Sequence, residues 1–261
     1  MFLPLTMFLS PAQLFSAKRI VSLVPSLTEL LHHLDGEVTG ITKFCIHPKE
    51  WFQTKTRVGG TKQLNLDIIR SLNPQLIIAN KEENVKEQVK LLAEQFPVWL
   101  TDVNSLHEAL KMIRNMGIVT GSKEKAATLA TEIENEFAVL NFPGSLAAAY
   151  FIWKDPLMVA GGDTFINEMM KRAGFRNVFE KTVRYPAVSI NEIKNSGADI
   201  LLLSSEPYPF KQDHVTALSH ELPGKKIILV DGEMFSWYGS RLLKSAAYFK
   251  SLRQHIGSHV F

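Results

Sequence analysis

The chain has 261 residues, 46% hydrophobic and 21% charged, which is globular composition and excludes a disordered or collagen-like chain. A formal net charge of +3, with basic residues scattered rather than blocked, is too small to argue for a nucleic-acid partner, and none is expected. The single cysteine, Cys45, excludes an internal disulfide and an all-cysteine zinc cage, so the core alone must hold the fold.

The opening MFLPLTMFLSPAQLFSA is apolar and precedes Lys18 and Arg19. A secretory signal carries its positive charge before the apolar stretch, and here the charge follows. Pro4 and Pro11 also interrupt the stretch. The readings are a poor signal ending at Ser16-Ala17, or an N-terminal extension or first edge segment. No run approaches the roughly 20 apolar residues that span a bilayer, so no transmembrane segment is expected.

Strand and helix patterns then alternate. RIVSLVPS is an apolar run, and SLTELLHHLDG follows with helical spacing. Ser26 and Glu29 suggest a capping box, and Gly36 a helix stop. EVTGIT reads as a strand, LNLDIIRSL as a helix and NPQLIIAN as a buried strand. NVKEQVKLLAEQ is amphipathic, FPVWLTD is a strand and SLHEALKMIRNMGIVTG a helix. SKEKAATLATEIENEFAVLNF, at 122–142, is free of Gly and Pro and ends at Pro143-Gly144. Alternation resumes with the strand LAAAYFIW and the helix DTFINEMMKRAG, for which Asp163 is the expected N-cap. SINEIKNSGADILLLS reads as helix then strand, HVTALSHEL as a helix, KKIILVDG as a strand and SRLLKSAAYFKSLRQHI as the closing helix. Residues 65–80 and 189–204 share a helix-turn-strand pattern, a weak internal repeat.

Such alternation implies parallel sheets covered on both faces. The expected fold class is α/β: two Rossmann-like lobes with parallel sheets at 18–121 and 144–261, joined by one long helix at 122–143. Ligands of open parallel sheets sit outside the C-terminal ends of the strands. Those ends collect Pro25 and Ser26, Phe44, Cys45, His47 and Trp51, Gly60, Lys81, Trp153, and Phe235, Trp237, Tyr238 and Arg241. Rings at loop positions suit a wide apolar wall, and Arg241 either caps a helix or pairs with an anionic edge of a ligand. Cys45 and His47 alone are too few for a protein-held metal, so none is expected. GGDT at 161–164 is similar to a phosphate turn but lacks the P-loop Lys-Ser/Thr, and capping accounts for it equally well. No Gly-x-Ser-x-Gly elbow and no HExxH motif occurs.

RIVSLVPSLTELLHHLDGEVTGIT, VGGTKQLNLDIIRSLNPQLIIAN and DVNSLHEALKMIRNMGIVTG resemble the helical-backbone substrate-binding proteins of ABC importers for cobalamin, ferric siderophores and haem. The cobalamin-binding members are the nearest in pattern, and the likeness runs from about Arg19 to the last helix. It implies a monomeric receptor rather than an enzyme, with the ligand in a cleft between the two lobes. Cobalamin, haem or a ferric siderophore would be its small-molecule ligand, an ABC permease its partner, and the periplasm or envelope its location. It adds no cofactor of the protein's own. It also implies importer docking through one acid per lobe, Asp67 in the first. In the second, the apolar alignment puts Asn191 at that place with Glu192 next to it, a turn of about 100° on a helix. FCIHPKEW and WKDP depart from the cobalamin-binding loops, which leaves the ligand open. The competing reading is an intracellular enzyme or cofactor carrier on the same fold, located in the cytoplasm.

Overall fold

A computed structural model describes residues 7–257. Contacts divide the chain into two compact units. The first runs to Val103 and takes in 107–133 and 238–241, and the second holds 104–106, 134–237 and the chain from Leu242 onward.

The first unit begins with β1 (Ile20–Ser22), α1 (Pro25–His33), β2 (Val38–Ile41), α2 (Lys49–Thr54) and β3 (Thr56–Arg57). The hairpin β4 (Gly59–Gly60) and β5 (Gln63–Leu64) follows, then α3 (Leu66–Ser71), β6 (Leu76–Asn80), α4 (Lys86–Ala93), β7 (Val98–Thr101) and α5 (Leu106–Thr120). Its sheet has the order β3-β2-β1-β6-β7, and every pair is parallel. β1 and β6 are central and buried at every residue, as strands covered on both faces must be. Val21, Leu23, Ile77 and Ala79 pack with Ile69, Val89 and Leu92 in the core.

α6 (Lys123–Ala138) crosses the boundary at Ile133/Glu134. It stops four residues before the expected 142, where the Leu140 amide donates to the Phe137 carbonyl and closes a turn. Phe142 instead lies under the Arg253 guanidinium, 5.3 Å from the ring centre.

The second unit continues with β8 (Leu146–Trp153), β9 (Met158–Val159), α7 (Phe165–Arg172), β10 (Phe175–Asn177), α8 (Ile190–Asn195), β11 (Ile200–Ser204), α9 (Gln212–Glu221), β12 (Lys226–Val230), α10 (Glu233–Ser236) and α11 (Leu242–Gly257). Its parallel sheet has the order β10-β8-β11-β12, with β9 antiparallel on β8. Ala149, Phe151, Leu201 and Leu203 form its core with Ile193, Phe210 and Leu218.

The repeat is real at the level of structure: α3–β6 and α8–β11 each place a short capped helix before a fully buried strand. Asn65 accepts from the Ile68 amide, and Ser189 accepts from the Glu192 amide.

Three end signals differ from expectation. The N-cap of α1 is Val24, with Pro25 in the first turn, so Ser26 lies inside the helix and forms no capping box with Glu29. α1 is stopped by Asp35 at φ 56°, which lets the Gly36 amide reach the Leu31 carbonyl at 2.7 Å. Thr164, not Asp163, caps α7 by accepting from the Asn167 amide, while Asp163 accepts from the Arg184 amide.

Of the apolar N-terminal stretch, residues 1–6 lie outside the described residues. Phe8 forms a parallel bridge to Val98, and the Met7 amide donates to Ala93, so residues 7–9 extend the free edge of β7. Among the described residues no helix is long and apolar enough to cross a membrane.

Candidate functional site

The C-terminal end of the first sheet is a set of loops pinned by buried amides. After β6 the sequence NKEEN makes two turns around Asn80 and Asn84. The Asn84 Oδ1 accepts from the Asn80 amide at 2.9 Å, and the Asn80 Oδ1 accepts from the amides of Glu82 and Glu83 at 2.8 and 3.2 Å. The Asn80 side-chain NH2 donates to the Thr101 carbonyl and hydroxyl, and that of Asn84 donates to the carbonyls of Leu23 and Thr61. One pair of side chains thus ties the ends of β1, β6 and β7 to the β4–β5 hairpin. Lys81 stands exposed on this loop, paired with Asp102 at 2.7 Å.

Phe44 lies in the loop after β2 and is 51% exposed, under the Lys43 ammonium at 5.1 Å. A Cβ on Gly60 would come within 3.2 Å of the Phe44 ring edge, so the glycine lets the ring lie against the hairpin. Pro25 is partly exposed and Ser26 is buried at the start of α1. Cys45 is buried, its Sγ 3.1 Å from the hydroxyl oxygens of Thr28 and Thr42, and burial pushes its thiol pKa up, which makes it an inert core residue. Among the described residues no three His, Cys, Asp or Glu side chains converge as metal ligands would. His47 precedes a cis Pro48.

Trp51 is not at this end. α2 runs back along the sheet and sets the indole, buried, against His32 in a T-shaped contact at 5.0 Å. There it lines a cavity of about 450 Å³ with Lys18, Glu37 and Lys55, beside the first residues of β2.

In the second unit, Trp153 closes β8 at 40% exposure and stands edge-on to Tyr208 at 5.6 Å. Tyr208 is held in turn by His214 Nε2, 3.1 Å from its hydroxyl. Ser204, at the end of β11, accepts from the Tyr150 hydroxyl at 3.0 Å. The loop that follows carries Glu206, whose Oε1 accepts from the Trp237 indole at 2.9 Å and from the Ser236 hydroxyl at 2.5 Å.

The aromatic run after β12 departs from its expected role. Phe235 is fully buried, tilted on Tyr150 at 5.1 Å and on Phe249 at 4.8 Å, so its ring is core and offers no wall to a ligand. Trp237 and Tyr238 are buried as well. Arg241 is 7% exposed, and its Nε and Nη2 donate to the two carboxylate oxygens of Glu29 at 3.0 and 2.7 Å. A bidentate pair of this kind already matches the guanidinium charge.

The GGDT turn is not a phosphate cradle. The amides of Gly161 and Gly162 donate to the carbonyls of Arg184 and Thr182, and a Cβ on Gly162 would lie 1.9 Å from the Glu180 carbonyl oxygen. Asp67 projects from the first turn of α3 with 91% of its side chain exposed and is paired with Arg70. Glu192 is exposed on α8, but its Oε2 accepts from the Ser189 amide and hydroxyl, which hold its carboxyl below the usual range. Counted from the helix caps, Asn191 occupies the place of Asp67.

Residues 20–220, well over half of the chain, match the family described as periplasmic binding protein. The vitamin B12-binding protein of Salmonella choleraesuis (strain SC-B67) is 26% identical over 189 residues, 70% of this chain and 71% of that one. Among solved structures, the periplasmic vitamin B12 binding protein BtuF of Vibrio cholerae superposes with a TM-score of 0.76 at 19% identity, covering 94% of this chain and 100% of that one. The periplasmic heme-binding protein RhuT of Roseiflexus sp. RS-1 gives 0.72 at 22% identity, covering 92% and 100%. The last two are likenesses of fold. With its two sheets of parallel strands and a family match that runs through the first and into the second, the chain belongs to the periplasmic binding protein family.

Proposed function

We propose that the protein is a solute-binding receptor of an ABC importer and holds a corrinoid or another metal chelate against the C-terminal ends of its strands. The observation that carries this is the pair of exposed rings in a family of binders: Phe44 after β2 and Trp153 at the end of β8, both left open where most large side chains are buried. A flat, bulky chelate has the apolar faces that such rings contact. Lobes at 18–121 and 144–261, with 122–143 as the link, complete the proposal. Family membership supports this reading over an intracellular enzyme or cofactor carrier, and supports a location in the periplasm or envelope.

Ligand contacts are proposed for Pro25, Phe44, Gly60, Lys81 and Trp153. Ser26, Trp237 and Tyr238 would support them from beneath. Docking on the permease is proposed through Asp67, supported by its exposure at a helix start. Glu192 would have to leave Ser189 to act in the same way.

Titration of the protein with cyanocobalamin, haem and a ferric siderophore, followed by tryptophan fluorescence, tests the proposal. One of the three is expected to give saturable quenching with a Kd below ~10 µM, worth about 7 kcal/mol. A flat response to all three overturns it.

A further inference from the structure

The cavity beside Trp51 lies at the other end of the first sheet from the loops that close its strands, and the receptor reading makes no use of it. It measures about 450 Å³, within the range of small-molecule pockets. Its walls come from the end of α1, the start of β2 and α2 with its C-cap Lys55, all within the first unit. Trp51 forms part of the wall at only 8% exposure. A buried indole ordinarily gives its N–H a partner. Among the described residues the Trp51 N–H donates to nothing, yet its nitrogen is not sealed in by protein. A ring so deeply buried stays open only toward the space it borders, so this donor faces the cavity.

Two more donors stand around the same ring. The Lys55 amide donates to the Trp51 carbonyl at 2.9 Å and closes α2, with the Lys55 ammonium 5.2 Å from the ring centre. His32 meets the ring in its T-shaped contact at 5.0 Å. Among the described residues neither side chain has an ion pair or a hydrogen bond. The two acids on the rim are already taken: Asp35 by Lys125 at 2.7 Å, and Glu37 by Lys18 at 2.6 Å. An ammonium, an indole N–H and an imidazole therefore share one cavity without an acceptor.

We propose that this cavity is a second binding site, for a small monocarboxylate with an apolar body. The Trp51 N–H and the Lys55 ammonium hold the carboxylate through charge-assisted hydrogen bonds, with His32 as the third donor. The indole and Val38 supply apolar surface for the body. Asp35 and Glu37 repel a dianion such as phosphate from the rim. The site is independent of the receptor reading and stands whatever the strand ends bind. The sequence reading set Trp51 in a wall at the strand ends, and the direction of α2 gives the ring this place instead.

The test uses the full chain carrying 15N-labelled tryptophan, which gives four indole N–H signals for its four tryptophans. Trp51→Phe, or subtraction through Phe variants of the other three, identifies the Trp51 signal. The probes are benzoate, its neutral counterpart benzamide, and inorganic phosphate. Benzoate is expected to shift the Trp51 signal saturably, with half-saturation near ~1 mM, and to leave the Trp153 signal in place. Benzamide and phosphate should bind about tenfold more weakly or not at all. Lys55→Ala should weaken benzoate about tenfold, the loss of one charge-assisted bond, while Lys55→Arg keeps most of the affinity. Melting curves confirm that both Lys55 variants are folded. A Trp51 signal that benzoate does not move overturns the proposal. Equal benzoate affinity in wild type and folded Lys55→Ala overturns it too, as does benzamide or phosphate binding as tightly as benzoate.

Discussion

Arg241 and Glu29 stand 212 positions apart and form a two-point ion pair that is almost wholly buried. The guanidinium comes from the segment 238–241, which belongs with the first unit although the residues on either side of it belong to the second. The pair therefore fastens the returning chain to α1. Breaking a buried pair leaves one charge without its partner, at a cost of about 3–5 kcal/mol. Arg241→Ala and Glu29→Ala should each lower stability by that order in urea unfolding. The double variant should fall well short of the sum, since the two residues share one interaction.

Phe235 and Phe44 separate core from site. Phe235→Ala should cost about 3–5 kcal/mol by leaving a cavity between Tyr150 and Phe249. Phe44→Ala, at an exposed position, should change stability by no more than about 0.5 kcal/mol. The order reverses for binding: Phe44→Ala should weaken the ligand about tenfold, the loss expected of an aromatic anchor. Denaturation curves and ligand titrations on the same preparations check both halves.

His33, in the last turn of α1, has its pKa lowered below the ordinary 6.5 by burial and then by Lys125. The folded state therefore binds the proton less readily than the unfolded chain does. Stability is complete above pH 6.5 and is lost as pH falls from 6.5 through the folded pKa, with no further loss from this group below it. Melting temperatures from pH 8 to pH 5 should show that decline, and His33→Gln should reduce it.

Gly162 has no room for a side chain, because a Cβ would meet the Glu180 carbonyl oxygen at 1.9 Å. Gly162→Ala must push apart the backbone bonds between 161–162 and 182–184 and should cost ~2 kcal/mol or more. An unchanged melting temperature would show that the 180–184 segment can yield.

The order of strands and helices was readable because it depends on local pattern. LIIAN and ILLLS are short apolar runs that only a covered parallel strand explains, and both became central strands. LAAAYFIW became β8 with the same bounds. What failed depends on distance. Glu29 follows Ser26 at the spacing of a capping box, yet its carboxylate is taken by an arginine from the far end of the chain. FSWYGSR reads equally well as a wall or as core, since burial is fixed by the Tyr150 and Phe249 that meet Phe235 and not by the run itself. Trp51 was misplaced because periodicity gives a helix but not the direction in which α2 returns along the sheet.

Hydrogen–deuterium exchange of the protein with and without saturating ligand measures where the guest lies. Protection is expected in the loops that close the strands, at 42–47, 60–62, 80–84, 153–156 and 204–208. Protection confined to the cavity around His32 and Trp51, or none in those loops despite saturable binding, would contradict a ligand held at the strand ends.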